Sequence, residues 1–174
     1  MEVFDAIYNR RSIRRYKPDV PSREELEKIA EAGLYAASGK NMQPVKIIIV
    51  TNRELIDRLR VWNREIGGWS ESVDPFYGAP ALLLVISDKV SPNHVYDGAL
   101  AMGNMMLAAH ALGLGSCWIN RARQEFDTDE GRAILASLGI EGEYEGIAHC
   151  IVGYPDGPAP KAAPRRPGGI VWAE

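Results

Sequence analysis

Hydrophobic and polar positions follow two periods along this chain, and the switches between them mark out its elements. Val3, Phe4, Ile7 and Tyr8 recur at helical spacing and predict a helix over residues 2–9. Ser22 opens a second helix: Glu25 stands three residues on, as in a capping box. Leu26, Ile29, Ala30 and Leu34 form its apolar stripe, and it ends near Ser38 and Gly39. VKIIIVT (45–51) is short, apolar and β-branched, and predicts a strand. Asn52 caps a short helix carrying Leu55, Ile56 and Leu59, and residues 63–79, with Gly67, Gly68, Pro75 and Gly78, read as irregular. PALLLVIS is a second buried strand starting at Pro80. Residues 96–112 are apolar on nearly every side, which predicts a helix buried all round, in a core or across a subunit interface. Gly113 ends it in a left-handed conformation. GSCWIN is a third strand, Asp127 with Glu130 starts a helix running through Leu138, and GIAHCIVGYP is a fourth strand.

The last twenty residues, PDGPAPKAAPRRPGGIVWAE, change character. Proline and glycine predict an extended arm, yet it ends in Ile170, Val171 and Trp172, which predicts that it docks on something. Helices and strands mix without an internal repeat, so the expected fold is an α+β or α/β sandwich around one sheet. The expected organisation is one domain, with a core over 1–154 and an arm over 155–174.

Composition narrows the partners. With 174 residues, 46% of them hydrophobic and 25% charged, a sizeable core is within reach. A net charge of −3 argues against a surface built for nucleic acid or anionic lipid. Cys117 and Cys150 are too few and too far apart for a disulfide framework or a CxxC clip, and read as buried thiols suited to a reducing compartment. The N-terminus lacks the apolar core of a signal peptide and no apolar run approaches a membrane span, so the expected location is the cytoplasm.

Three segments could carry chemistry. Arg10, Arg11, Arg14, Arg15 and Lys17 surround Ser12, and such a stretch is a solvated loop, a nucleic-acid patch or a phosphate site. Arginine forks contact phosphate oxygens in pairs and a serine hydroxyl adds a donor. In SGKNMQP (38–44), Asn41 and Gln43 each combine a donor with an acceptor, which suits either a turn or a planar heterocycle. In GLGSCW (113–118) the glycines resemble a dinucleotide fingerprint, but a helix precedes them and a strand follows, the reverse of what that site needs. His94, His110 and His149 have no ligand spacing, and no HExxH, GxSxG or P-loop occurs, so neither a metal nor a hydrolytic apparatus is legible.

In order along the chain, RRSIRRY (10–16), AASGKNMQPVKIIIV (36–50), GAPALLLVIS (78–87), DGALAMGNMMLAAHALGLGSCWI (97–119), GYPDG (153–157) and PRRP (164–167) resemble the small members of the nitroreductase family. The resemblance implies an α+β fold with a mostly antiparallel central sheet flanked by helices, a homodimer that exchanges its C-terminal arms, and FMN bound between the subunits. It implies that FMN takes a hydride from NAD(P)H at N5 and passes electrons to a nitroaromatic, quinone or similar small acceptor by a ping-pong mechanism. By the same resemblance Arg10 and Ser12, with Arg11 nearby, hold the phosphate and ribityl chain, and Arg14 approaches the N1/O2 edge. Ser38, Asn41 and Gln43 line the flavin from the partner subunit. Trp118, Ile119 and Asn120 pass beside N5, and Arg165 and Arg166 reach the phosphate. The chain departs from the family in its short middle segment and in Asn120–Arg121, where many members carry glycine or glutamate. Two other readings on the same fold are a reductive dehalogenase or flavin-cleaving enzyme and a non-catalytic flavin-binding module.

Overall fold

The computed structural model describes residues Met1–Glu174. Its elements are α1 (Val3–Asn9), α2 (Arg23–Leu34), a single 3-10 turn (Gly39–Asn41), β1 (Val45–Val50), α3 (Arg53–Ile66), β2 (Ala81–Asp88), α4 (His94–Ala111), β3 (Gly115–Ile119), α5 (Ala122–Phe126), α6 (Asp129–Ser137) and β4 (Tyr144–Gly153). The strands form one sheet in the order β1-β2-β4-β3, antiparallel at every pairing.

Strand alternation sorts the core into two layers. Ala81, Leu83, Val85, Ala148, Cys150 and Val152 face Leu26 and Ile29 of α2 and Met102, Met105 and Ala109 of α4. Leu82, Leu84, Ile86, Cys117 and Ile151 face the other way, onto Ile56 and Leu59 of α3, Phe126 of α5, and Ile134 and Leu135 of α6. Both thiols are buried and unpaired, and burial pushes the Cys150 thiol up to about 12. No helix is long and apolar enough to cross a membrane.

Several elements differ from their sequence reading for local reasons. α3 runs on to Ile66, so the irregular stretch is shorter than 63–79. α5 escapes a periodicity reading because five residues hold too few repeats. Thr128, not Asp127, caps α6: its hydroxyl accepts from Gly131 N at 3.1 Å, while Asp127 sits at the helical end of α5. The stripe of α1 is exposed, and Ala6 is its buried residue. The apolar ring of α4 is covered on one side only: Met102 and Met105 are buried, while Tyr96 is 72% exposed and Leu100 53%.

The capping box is formed. Ser22 Oγ accepts from Glu25 N at 3.2 Å and Glu25 Oε2 accepts from Ser22 N at 2.8 Å. The Tyr154 hydroxyl donates to the same carboxylate oxygen at 2.9 Å, tying α2 to the end of β4. Hydrogen bonds from the Ser22 side chain and backbone hold the Glu25 carboxyl below its usual range. The resulting stability is present above the usual glutamate pKa and is lost as pH falls through the folded value. Ser22→Ala is expected to cost about 1 kcal/mol in urea denaturation at neutral pH. The difference from wild type should shrink in acid; an equal difference at both pH values would refute the cap.

Candidate functional site

The basic stretch is fastened to the sheet at one corner. Ser12 lies in a parallel bridge with Ser116, and Ile13 N donates to Ser116 O at 3.0 Å, so residues 12–13 cover the outer edge of β3. Gly115 permits this, since a Cβ there would come within 2.8 Å of the Ile13 side chain. Tyr16 then bridges to Pro155, and its hydroxyl donates to Ile13 O at 2.7 Å. Burial raises the Tyr16 pKa far above the usual tyrosine range, so this donor keeps its proton.

A cleft of about 290 Å³ opens beside this corner, lined among others by Arg10, Arg11, His110, Ser116, Pro155 and Gly157. Three buried polar atoms around it have no partner in the chain: Arg10 Nη1, His110 Nε2 and Ser116 Oγ. Buried polar atoms without partners are rare in folded proteins, and a cluster that includes an arginine N–H and a serine hydroxyl beside a cleft suits an oxyanion ligand. His110 and Ser116 carried no recognisable sequence signal, because each looked like an isolated polar residue in an apolar run. Arg11 Nη1 is turned back onto Tyr8 O and Arg10 O, both at 2.7 Å. Arg14 is exposed, its guanidinium 5.7 Å from the centre of the Tyr77 ring.

The SGKNMQP loop sits elsewhere. Ser38 Oγ accepts from Gln43 N at 3.0 Å, and Gln43 Nε2 donates to Asn41 Oδ1 at 3.0 Å. Lys40, Asn41 and Gln43 take left-handed φ values of 53°, 55° and 49°. Such backbone is held only where its surroundings over-determine it. One clamp is buried Asp97, which accepts from Gly39 N at 3.0 Å and from Ser91 Oγ at 3.3 Å. Within one chain this loop and the basic corner lie at opposite edges of the sheet, three strand spacings or ~14 Å apart. They also lie at opposite strand ends: Val45 pairs with Ser87, whereas Ser116 pairs with Val152.

Trp118 and Ile119 end β3, and Asn120 follows, exposed. Trp118 Nε1 donates to Asn120 Oδ1 at 2.5 Å. Arg121 turns the chain into α5 with φ 85°, its guanidinium 4.2 Å from the centre of the Trp69 ring. Arginine thus occupies a left-handed position of the kind glycine fills without strain. Arg121→Val is expected to lose ~1–2 kcal/mol of stability, because a β-branched side chain tolerates this region worst. Arg121→Asn should lose about half as much; equal losses in urea denaturation would mean that the turn does not enforce this conformation.

Residues 155–174 leave the core. Pro155, Gly157 and Ala159 border the cleft, but from Asp156 onward every residue is exposed, Trp172 to 82%. Arg165 and Arg166 are exposed and are not among the residues that line this cleft in their own chain.

Comparison with known proteins places these features in a group. The model of the nitroreductase family matches residues 7–154. A Methanothermobacter thermautotrophicus protein named as a candidate NADH dehydrogenase/NAD(P)H nitroreductase is 34% identical over 122 residues, 68% of this chain and 60% of its own length. An iodotyrosine deiodinase of Thermotoga neapolitana is 29% identical over 177 residues, 91% of each chain. The crystal structure of a Bacteroides fragilis nitroreductase with bound FMN superposes with a TM-score of 0.87 at 32% identity, covering 100% of both chains.

Proposed function

This chain belongs to the nitroreductase family, and from that premise we propose that it is an FMN-dependent oxidoreductase, active as a homodimer, that takes a hydride from NAD(P)H and passes electrons to a nitroaromatic, quinone or similar small acceptor. The observation that carries this reading is the cleft at the sheet corner, where Arg10, Ser116 and His110 hold buried polar atoms with no partner in the chain. That donor set fits the phosphate of FMN. Arg10 and Ser12 hold it from the chain's own side, with Arg11 at the rim and Arg165 and Arg166 arriving on the partner's arm. Ser38, Asn41 and Gln43 reach the flavin ring from the partner, which accounts for their distance from the basic corner within one chain. Asn41 Nδ2 and Gln43 Oε1 remain free for a heterocycle, because their mutual hydrogen bond uses only the other two amide atoms.

FMN, when bound, supplies the hydride-accepting ring and the two-electron step. The chain supplies position and charge. Arg14, held over Tyr77, is the cation available to offset negative charge on the reduced ring. Trp118, Ile119 and Asn120 form a wall beside its reacting edge.

The test is the visible spectrum of the purified protein after incubation with FMN. Retained flavin absorption, bleached by NADH or NADPH without oxygen and restored by a nitroaromatic or quinone, is the expected result. Parallel lines in double-reciprocal kinetics would identify the ping-pong order. A protein that stays colourless with FMN would overturn the proposal. The likeness to a deiodinase over 91% of both chains supports a second reading, reductive dehalogenation on the same flavin. Release of iodide from iodotyrosine by the reduced protein, without turnover of nitroaromatics, would select it.

A further inference from the structure

Behind the wall at Asn120 lies a polar network that the proposed function does not use. Asn63 of α3, Glu125 of α5 and His149 of β4 are each 0% exposed. Asn63 Nδ2 donates to Asn120 O and to Glu125 Oε1, both at 2.7 Å, and His149 Nε2 pairs with Glu125 Oε2 at 2.5 Å. The amide orientation is chemically forced: the Asn120 carbonyl can only accept, so nitrogen must face it, and the second proton of that nitrogen goes to Glu125. The rings of Phe76 and Phe126 stand 5.3 and 6.4 Å from the His149 ring, walling the network in. Asn63 Oδ1 and His149 Nδ1 have no partners. Such atoms destabilise a fold, so apolar side chains would fill this space at lower cost if filling were its whole purpose.

We infer that Asn63, Glu125 and His149 are positioning residues that set the Asn120–Arg121 peptide, the segment that the proposed function puts beside the reacting edge of the flavin; the inference rests on that reading. Asn63 pulls the Asn120 carbonyl into the core. A trans, planar peptide then turns the Arg121 N–H to the opposite side, away from the core. None of the turn and loop backbone hydrogen bonds uses the N–H of Asn120 or Arg121. Asn120 Oδ1 accepts from Trp118 Nε1 and the Arg121 guanidinium lies over Trp69, which leaves the two backbone N–H groups, with Asn120 Nδ2, as free donors at this turn. α5 is seated so closely on β4 that a Cβ at Gly146 would collide with Ala122 O, which fixes Glu125 relative to His149. The sequence hides this device because its members come from three elements and meet Asn120 only after packing. It acts on the electronic environment of the flavin and leaves the phosphate corner alone.

The experiment compares FMN affinity and the two-electron midpoint potential of the holoprotein with those of Asn63→Ser and Glu125→Gln. Asn63→Ser removes the amide and its two N–H donors, and the single hydroxyl proton that replaces them cannot serve Asn120 O and Glu125 at once. It is expected to keep FMN affinity within about threefold while shifting the redox equilibrium about tenfold toward reduced flavin, ~30 mV for a two-electron couple, because a backbone N–H beside N5 is accepted by the oxidised ring nitrogen and not by the reduced N5–H. Glu125→Gln should stay within about twofold of wild type, because its amide accepts from Asn63 and donates to the other tautomer of His149. An unchanged potential in folded, FMN-loaded Asn63→Ser would overturn the inference. So would loss of FMN from the folded variant, or a Glu125→Gln shift as large as that of Asn63→Ser, which would assign the effect to charge. If the serine variant does not fold, Asn63→Thr, which adds a methyl group's volume to the same single hydroxyl, is read by the same criteria. Failure of the wild-type protein to bind FMN would refute the proposed function instead, so the two failures are distinct.

Discussion

Cutting the chain after Gly157 is expected to weaken the dimer and FMN binding together. The arm carries Ile170 and Val171, each 85% exposed, and Trp172 at 82%. Pro158, Pro160, Pro164 and Pro167 keep it extended, and backbone donors return beyond the last of them. The sheet offers one open edge to receive it: β3 is covered by residues 12–13, whereas β1 has no strand on its outer side. A groove of about 420 Å³ beside that edge, lined by Val20, Leu26 and Ile49, can take a large apolar side chain. Burying three such residues is worth ~1.5–3 kcal/mol each before ordering costs. Truncation should therefore raise the dimer dissociation constant by at least about a hundredfold. FMN affinity should fall with it, because Arg165 and Arg166 leave with the arm. Sedimentation velocity and flavin fluorescence on the same dilution series measure both. A truncated protein that stays dimeric and yellow throughout would show that the arm is a tail.

Arg10→Ala is expected to weaken FMN binding about ten- to a hundredfold, the range for a charge-assisted hydrogen bond of ~1.5–3 kcal/mol. The Arg10 guanidinium has a buried nitrogen with no protein partner, so nothing inside the fold compensates for or competes with this contact. Ser12→Ala should cost less, about tenfold or under, since a neutral hydroxyl is lost. Arg10→Lys should recover part of the affinity, because an ammonium keeps the charge but not the planar fork. FMN should also stabilise the wild-type protein against heat by ~2.7 kcal/mol at a hundredfold excess over Kd, and Arg10→Ala much less at the same concentration. Equal affinities in titrations of the apoproteins would remove Arg10 from the site.

Much of this molecule follows from short stretches of its sequence. The capping box at Ser22 and Glu25, the left-handed Gly113 with φ 78°, and the buried strands around Leu83 and Ile151 depend on interactions within a few residues or on simple alternation, so they are legible without coordinates. The motifs pointing to a phosphate-bearing cofactor were legible for the same reason: RRS and NMQP are contiguous. Packing decided the rest. Only the sheet order separates the basic corner from the 38–43 loop within one chain. Only the approach of α3, α5 and β4 brings Asn63, Glu125 and His149 together. Periodicity along α4 could not say which of its apolar residues stay exposed, because that depends on where α2 and the sheet stop covering it. Local patterns report what a segment prefers; burial and contact between distant residues exist only once the layers have stacked.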